Sequence, residues 1–204
     1  MPNRPPHYVL LDRDGVINRR VLGGYVTHWE QFEFLPRALD ALRLFAEKGY
    51  ECLVISNQAC VARKLLSVAG LETITRRFML EVALAGGNIR QVYYCMHLPE
   101  DLCSCRKPQP GMIHRARLDY GFVASETFFV GDSLEDLQAA ASAGCHAVLV
   151  RRDAFLEKHN ALTVTSNLYE AAETVIAQQT AGHGWLQVPS AMDASSHTLR
   201  ARQN

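Results

Sequence analysis

No stretch of 18 apolar residues occurs in this 204-residue chain, so a membrane-spanning helix is not expected. Neither sign of charge dominates, with 21 Lys and Arg against 21 Asp and Glu. That balance argues against a broad electrostatic grip on nucleic acid or an anionic membrane, and leaves room only for a local basic patch that binds phosphate. There is no internal repeat and no low-complexity tract. The opening MPNRPPHYVLLDRDG has few apolar residues before charges arrive and does not read as a signal peptide. Six cysteines at uneven spacing, without a secretion signal, predict thiols in a reducing cytoplasm instead of a disulfide framework. Hydrophobic residues make up 48% and charged residues 21%, which excludes wholesale disorder. A chain of this length buries about 70% of its unfolded surface and needs no staples.

What is present alternates. Short apolar runs at Tyr8–Leu11, Cys52–Ile55, Gln91–Cys95, Thr127–Val130 and Ala147–Val150 predict buried strands, with a weaker one at Leu162–Val164. Between them, helical spacing appears in Leu39, Leu42 and Phe45, in Leu71, Ile74, Phe78 and Val82, from Met112 to Tyr120, from Ser133 to Ala143 and from Leu168 to Ala177. This alternation predicts an α/β domain, a three-layer Rossmann-like fold with a parallel sheet and helices on both faces. It is expected to span 1–179, with a poorly ordered tail over 180–204. No long insertion follows the first or second strand, so no large cap domain is expected.

In such a fold, ligands bind beyond the carboxyl ends of the strands. The unusual polar residues collect there: Asp12-Arg13-Asp14-Gly15, Ser56-Asn57-Gln58, Arg106-Lys107-Pro108, and Gly131-Asp132-Ser133 with Asp136 beyond. Period-two geometry can point Asp12 and Asp14 the same way while Arg13 points elsewhere. Two such carboxylates would repel, so a cation is expected beside them. With Asp132 they offer the oxygen donors that suit Mg²⁺, which keeps several waters and bridges to phosphate. Taken singly, each of these groups also reads as turn or surface chemistry. Ser133-x-x-Asp136 in particular reads as a helix-capping box.

Cys95 and His97, then Cys103 and Cys105, flank a five-residue loop. Three thiolates and one imidazole make a tetrahedral Cys₃His zinc-binding loop. With all four positions filled by protein, the zinc would be structural, and it would hold Arg106 and Lys107 in place.

Together the motifs LLDRDGVIN, ISN, RKP and VGDSLED resemble those of the haloacid dehalogenase-like phosphohydrolase superfamily, from about Tyr8 to Val150. The resemblance implies that Asp12 attacks phosphorus to form an aspartyl-phosphate. Asp14 would protonate the leaving oxygen and then activate water. Asp12, the backbone carbonyl of Asp14, and Asp132 would hold Mg²⁺, supported by Asp136. Ser56 and Lys107 would stabilise the phosphoryl oxygens, with Asn57 alongside in substrate binding. CMHLPEDLCSCRKPQPGM is similar to a segment of the D-glycero-D-manno-heptose 1,7-bisphosphate 7-phosphatases and of the related histidinol-phosphate phosphatases. GYVTHWEQFEFLP and the PGM favour the heptose branch. That branch implies that Arg106 contacts the sugar phosphate, that Arg20 to Tyr25 form part of a substrate flap, and that Arg63 helps bind the distal phosphate. Where the family's second loop reads like SNQSGIARG, Cys60 and Lys64 here replace glycines. The expected protein is a monomeric, cytoplasmic, Mg²⁺-dependent phosphatase acting on a small phosphorylated substrate. Histidinol-phosphate phosphatase and a catalytically silent phosphometabolite-binding protein are the competing readings.

Overall fold

The computed structural model describes residues 6–151 and 163–180. Of the tail expected over 180–204, Thr180 is the last residue of a helix, while 181–204, and Leu162 at the head of the sixth strand, lie outside the described residues. Six strands run in parallel: β1 (His7–Leu11), β2 (Tyr50–Asn57), β3 (Ile89–Cys95), β4 (Phe128–Gly131), β5 (His146–Val150) and β6 (Thr163–Thr165). Among the described residues, five α-helices connect or follow them: α1 (Ala38–Glu47), α2 (Val68–Leu84), α3 (Gly111–Tyr120), α4 (Leu134–Ala143) and α5 (Leu168–Thr180). The sheet order is β3-β2-β1-β4-β5-β6.

Alternation along each strand builds three layers, because successive side chains point to opposite faces. Val9 and Leu11, Cys52 and Val54, Phe128 and Val130 pack under α1, α2 and α5. Their neighbours Leu10, Leu53, Ile55 and Phe129 pack under α3 and α4. Burial on both faces explains why the strands read as continuous apolar runs. Cys52 and Cys145 are buried free thiols within these cores.

Most boundaries fall where the local chemistry predicts. The Ser67 hydroxyl caps α2 by accepting from the Gly70 N–H at 3.0 Å. Gly121 and Gly144 close α3 and α4 in the left-handed conformation. β2 and β3 start earlier than the apolar runs suggested, because Tyr50 and Ile89 continue the ladder on the side away from the site, and a register shift lies between Cys52 and Leu53. The connection after β1, residues 12–37, contains one short 3₁₀ turn, at Trp29–Gln31, and two isolated β-bridges, Asp14 with Asn18 and Asn18 with Phe34, in agreement with the absence of a large cap. No described helix is long and apolar enough to cross a membrane.

Candidate active site

The sheet order reverses direction between β1 and β4, and a crevice opens at such a point beyond the carboxyl ends of the strands. Asp12 follows β1, its N–H still in register with the carbonyl of Val130 on β4 at 2.9 Å. Asp132 follows β4, and Asp136 lies on the first turn of α4. One carboxylate oxygen from each of Asp12, Asp132 and Asp136 lies within 4.8 Å of the others. Gly15 makes room for this: at φ 103°, any Cβ there would sit 1.8 Å from the Asp132 Oδ2. Gly131 does the same for Asp136, with a would-be contact of 2.3 Å.

Lys107 is buried among these acids. Its Nζ lies 2.6 Å from Asp12 Oδ1 and 2.6 Å from Asp136 Oδ1, and donates to the carbonyl of Ile55 at 2.9 Å. The ammonium thus has an oxygen for each of its three protons. Asn57 fixes the lysine backbone: its Nδ2 donates to the Lys107 carbonyl and its Oδ1 accepts from the Lys107 N–H, both at 3.1 Å. The amide of Asn57, expected at the substrate, is therefore engaged in holding Lys107, although the residue lines the cavity. Ser133 and Asp136 do form the capping box. Asp136 Oδ2 also accepts from the Asp132 N–H at 3.1 Å, which ties the β4 tip to the helix.

Burial pushes the Asp12 carboxyl up; the Lys107 ammonium opposes this, and the carboxylates of Asp136, Asp132 and Asp14 add to it. Asp132 rises to about 6, mainly through burial, with Arg20 opposing. Burial works against the Lys107 ammonium too, but Asp12 and Asp136 outweigh it and hold the pKa above that of an ordinary lysine. Asp14 goes the other way. Burial raises it, yet the Arg13 guanidinium and hydrogen bonds from Asn18, Arg13 and Gln58 keep it below the usual carboxylate range.

A cavity of about 600 Å³ opens over this cluster. Asp12, Asp14, Ser56 and Lys107 line its floor, and Arg20, Tyr25 and Arg106 also border it. Arg63 does not line this cavity and is exposed on the loop before α2. In that loop Lys64 adopts φ 58°, the left-handed conformation that favours glycine. The Lys64 N–H bonds to the Val61 carbonyl at 2.9 Å, so the turn closes despite the side chain.

The second cluster lies where β3 ends. Cys105 Sγ is 3.3 Å from Cys95 Sγ, 3.4 Å from Cys103 Sγ and 3.2 Å from His97 Nδ1, while Cys95 lies 3.6 Å from both Cys103 Sγ and His97 Nδ1. All three sulfurs are free thiols. Cys103 falls to about 7: burial raises it, but hydrogen bonds from Cys105 and from the backbone N–H groups of Arg106 and Cys105 outweigh that.

The chain is similar to known proteins. Residues 104–175 match the HAD-hydrolase-like family model. The D-glycero-β-D-manno-heptose-1,7-bisphosphate 7-phosphatase of Pseudomonas aeruginosa is 38% identical over 143 residues, which cover 70% of this chain and 80% of that protein. The chain belongs to the haloacid dehalogenase-like phosphatases, in the heptose bisphosphate branch. The Escherichia coli K12 enzyme of the same name is 39% identical over 152 residues, covering 70% of this chain and 78% of the relative. A crystal structure of the D,D-heptose 1,7-bisphosphate phosphatase of B. bronchiseptica, complexed with magnesium and phosphate, is 32% identical with a TM-score of 0.77, covering 84% of this chain and 99% of that one.

The residues of this haloacid dehalogenase-like phosphatase fit both metals of the expectation. At the acidic cluster the donors are hard oxygens, and a cation already sits among them. Arg20 Nη2 lies 2.7 Å from Asp132 Oδ1 and 3.2 Å from the Asp14 carbonyl, two of the three donors expected for Mg²⁺. At the thiol cluster, Zn–S bonds of 2.3 Å imply S···S edges of about 3.7 Å in a tetrahedron. The observed separations fall just short of that and far beyond a disulfide bond.

Three residues take roles that the sequence reading did not assign. Arg13 leaves the strand on the face opposite Asp12, as period two requires, but its guanidinium returns to Asp14 at 2.8 Å. Asn18 Nδ2 and Gln58 Nε2 donate to the same carboxylate at 2.9 and 2.6 Å. The signal for Arg13 was available: a charge flanked by LLD and DG at the tip of a buried strand needs a neighbouring acid. Neutral amides in loops carry no comparable signal.

Proposed function

We propose that this phosphatase hydrolyses the 7-phosphate of D-glycero-D-manno-heptose 1,7-bisphosphate through an aspartyl-phosphate on Asp12. One observation carries the reaction class: three carboxylates from the tips of β1 and β4 and the start of α4 converge within 4.8 Å of one another, with a buried ammonium among them. Like charges are brought that close at considerable cost unless cations offset them, and a carboxylate cluster balanced by cations at a cavity floor is suited to an anionic phosphoryl group. The names of the relatives supply the sugar.

In this reading Asp12, the Asp14 carbonyl and Asp132 would hold Mg²⁺, with Asp136 supporting Asp132. Bound there, the ion screens the repulsion between an anionic nucleophile and an anionic ester. Asp12 forms the new O–P bond as the bond to the sugar oxygen breaks. Asp14, a carboxylate in the free site, takes up a proton when the anionic ester binds, gives it to that oxygen and later takes one from the water that releases phosphate. Lys107 and Ser56 neutralise charge that spreads over the equatorial phosphoryl oxygens. Arg106, Arg20 and Tyr25, which border the cavity, bind the remainder of the sugar. Exposed Arg63 reaches the distal phosphate only if that end of the substrate extends past the rim.

Cys95, His97, Cys103 and Cys105 hold a structural zinc, which fits the pull of this cluster on the Cys103 thiol and a reducing compartment such as the cytoplasm. All these groups come from one chain, so a monomer suffices. A side-by-side assay tests the substrate: the heptose bisphosphate should exceed histidinol phosphate in kcat/KM. The reverse order moves the chain to the histidinol branch, and turnover of neither leaves a binding protein.

A further inference from the structure

Arg13 is the bulkiest side chain with no exposure at all. Its guanidinium carbon lies 5.9 Å from the centre of the Phe32 ring and 5.8 Å from that of Tyr94. Nη2 donates to both oxygens of Asp14, at 3.0 and 2.8 Å, whereas Nε and Nη1 have no hydrogen-bond partner. Sealing a charge in this way is expensive, and an apolar side chain of similar volume would fill the space as well. What an apolar side chain could not do is grip Asp14. Asn18 and Gln58 hold the same carboxylate, and the Gln58 amide nitrogen also reaches Ser56 Oγ at 2.9 Å. The carboxyl is thus fixed from behind while it borders the cavity.

We propose that Arg13 is a positioning residue for leaving-group departure, setting the orientation in which Asp14 meets the ester oxygen. This rests on the reading of Asp14 as proton donor given above. In that step the Asp12 oxygen bonds to phosphorus, the phosphorus–sugar oxygen bond breaks, and the Asp14 proton goes to the sugar oxygen to give an alcohol. A sugar alkoxide departs poorly without that proton, whereas 4-nitrophenolate departs without it. A misaimed Asp14 therefore penalises the sugar ester and spares the nitrophenyl ester.

The test is kcat/KM for Arg13→Met and Arg13→Lys on both esters. This parameter ends at loss of the leaving group, so hydrolysis of the shared aspartyl-phosphate does not enter. The ratio between the two esters is also independent of how much of a preparation is folded. General acid catalysis contributes about 10²–10⁴-fold, and a misoriented acid forfeits part of it. The sugar ester should therefore fall about ten- to hundredfold more than the nitrophenyl ester in Arg13→Met, and by a smaller margin in Arg13→Lys, which keeps the charge on a shorter side chain without the planar guanidinium whose Nη2 meets both Asp14 oxygens. Equal losses on both esters in the Arg13 variants overturn the proposal. Asp14→Asn, assayed beside them, separates the two levels. If it too loses both esters equally, the proton-donor reading of Asp14 fails; if it is selective and the Arg13 variants are not, only the positioning role fails.

Discussion

The Arg20 guanidinium lies 2.7 Å from the Asp132 carboxylate while also facing the main-chain oxygen of Asp14. An arginine half exposed to solvent thus stands where the acidic cluster is expected to take a divalent ion. It partly offsets the burial that pushes the Asp132 carboxyl up, and it must move aside for a metal.

Arg20→Ala should accordingly bind Mg²⁺ more tightly. An exposed ion pair is worth about 0.2–1 kcal/mol, which corresponds to about a 1.4- to 5-fold fall in the Mg²⁺ Kd. Calorimetric titration with Mg²⁺ alone reads this directly. An unchanged or weakened affinity would mean that the arginine and the ion do not compete.

The cluster of Cys95, His97, Cys103 and Cys105 should hold a structural zinc. Elemental analysis is expected to find about one zinc per chain. Strong chelation, or Cys105→Ser, should lower the melting temperature and reduce turnover, because the loop that clamps Cys95 against Cys105 also delivers Arg106 and Lys107. Zinc added back after chelation should restore both. A zinc-free protein with the native melting temperature and full turnover would refute this.

Lys64 offers a stability test. At φ 58° a side chain costs about 1–2 kcal/mol relative to glycine, whereas glycine loosens the unfolded chain by about 0.4–1 kcal/mol. The first effect is the larger, so Lys64→Gly should leave stability unchanged or raise it by up to about 1.6 kcal/mol in denaturant unfolding. A loss of more than 1 kcal/mol would assign the lysine side chain a stabilising contact.

Much of this architecture is legible in the sequence, for a physical reason. Parallel strands buried on both faces must be apolar throughout, so the polar groups at Asp12, Ser56 and Asp132 mark where each strand leaves the core. The thiol cluster is legible because its ligands come in two short pairs. Arg13 is different. Periodicity gives the face from which a side chain departs, not where a long one ends, and the guanidinium swings back to Asp14 beneath Phe32 and Tyr94. Asn57 illustrates a second limit: its position at a strand tip is readable, but its engagement with the Lys107 backbone, 50 residues away, is a tertiary fact. Lys64 shows that a lysine can hold the left-handed conformation usually left to glycine, because the bond from its N–H to the Val61 carbonyl closes the turn.

The central claim is that Asp12 attacks phosphorus, and it is tested most directly by phosphate release from Asp12→Asn with Mg²⁺ saturating. The substitution keeps the shape of the side chain and removes the nucleophilic charge. Turnover should fall by at least about 10³-fold, as expected when a covalent route is lost. Release within a few-fold of the unaltered protein would contradict the account.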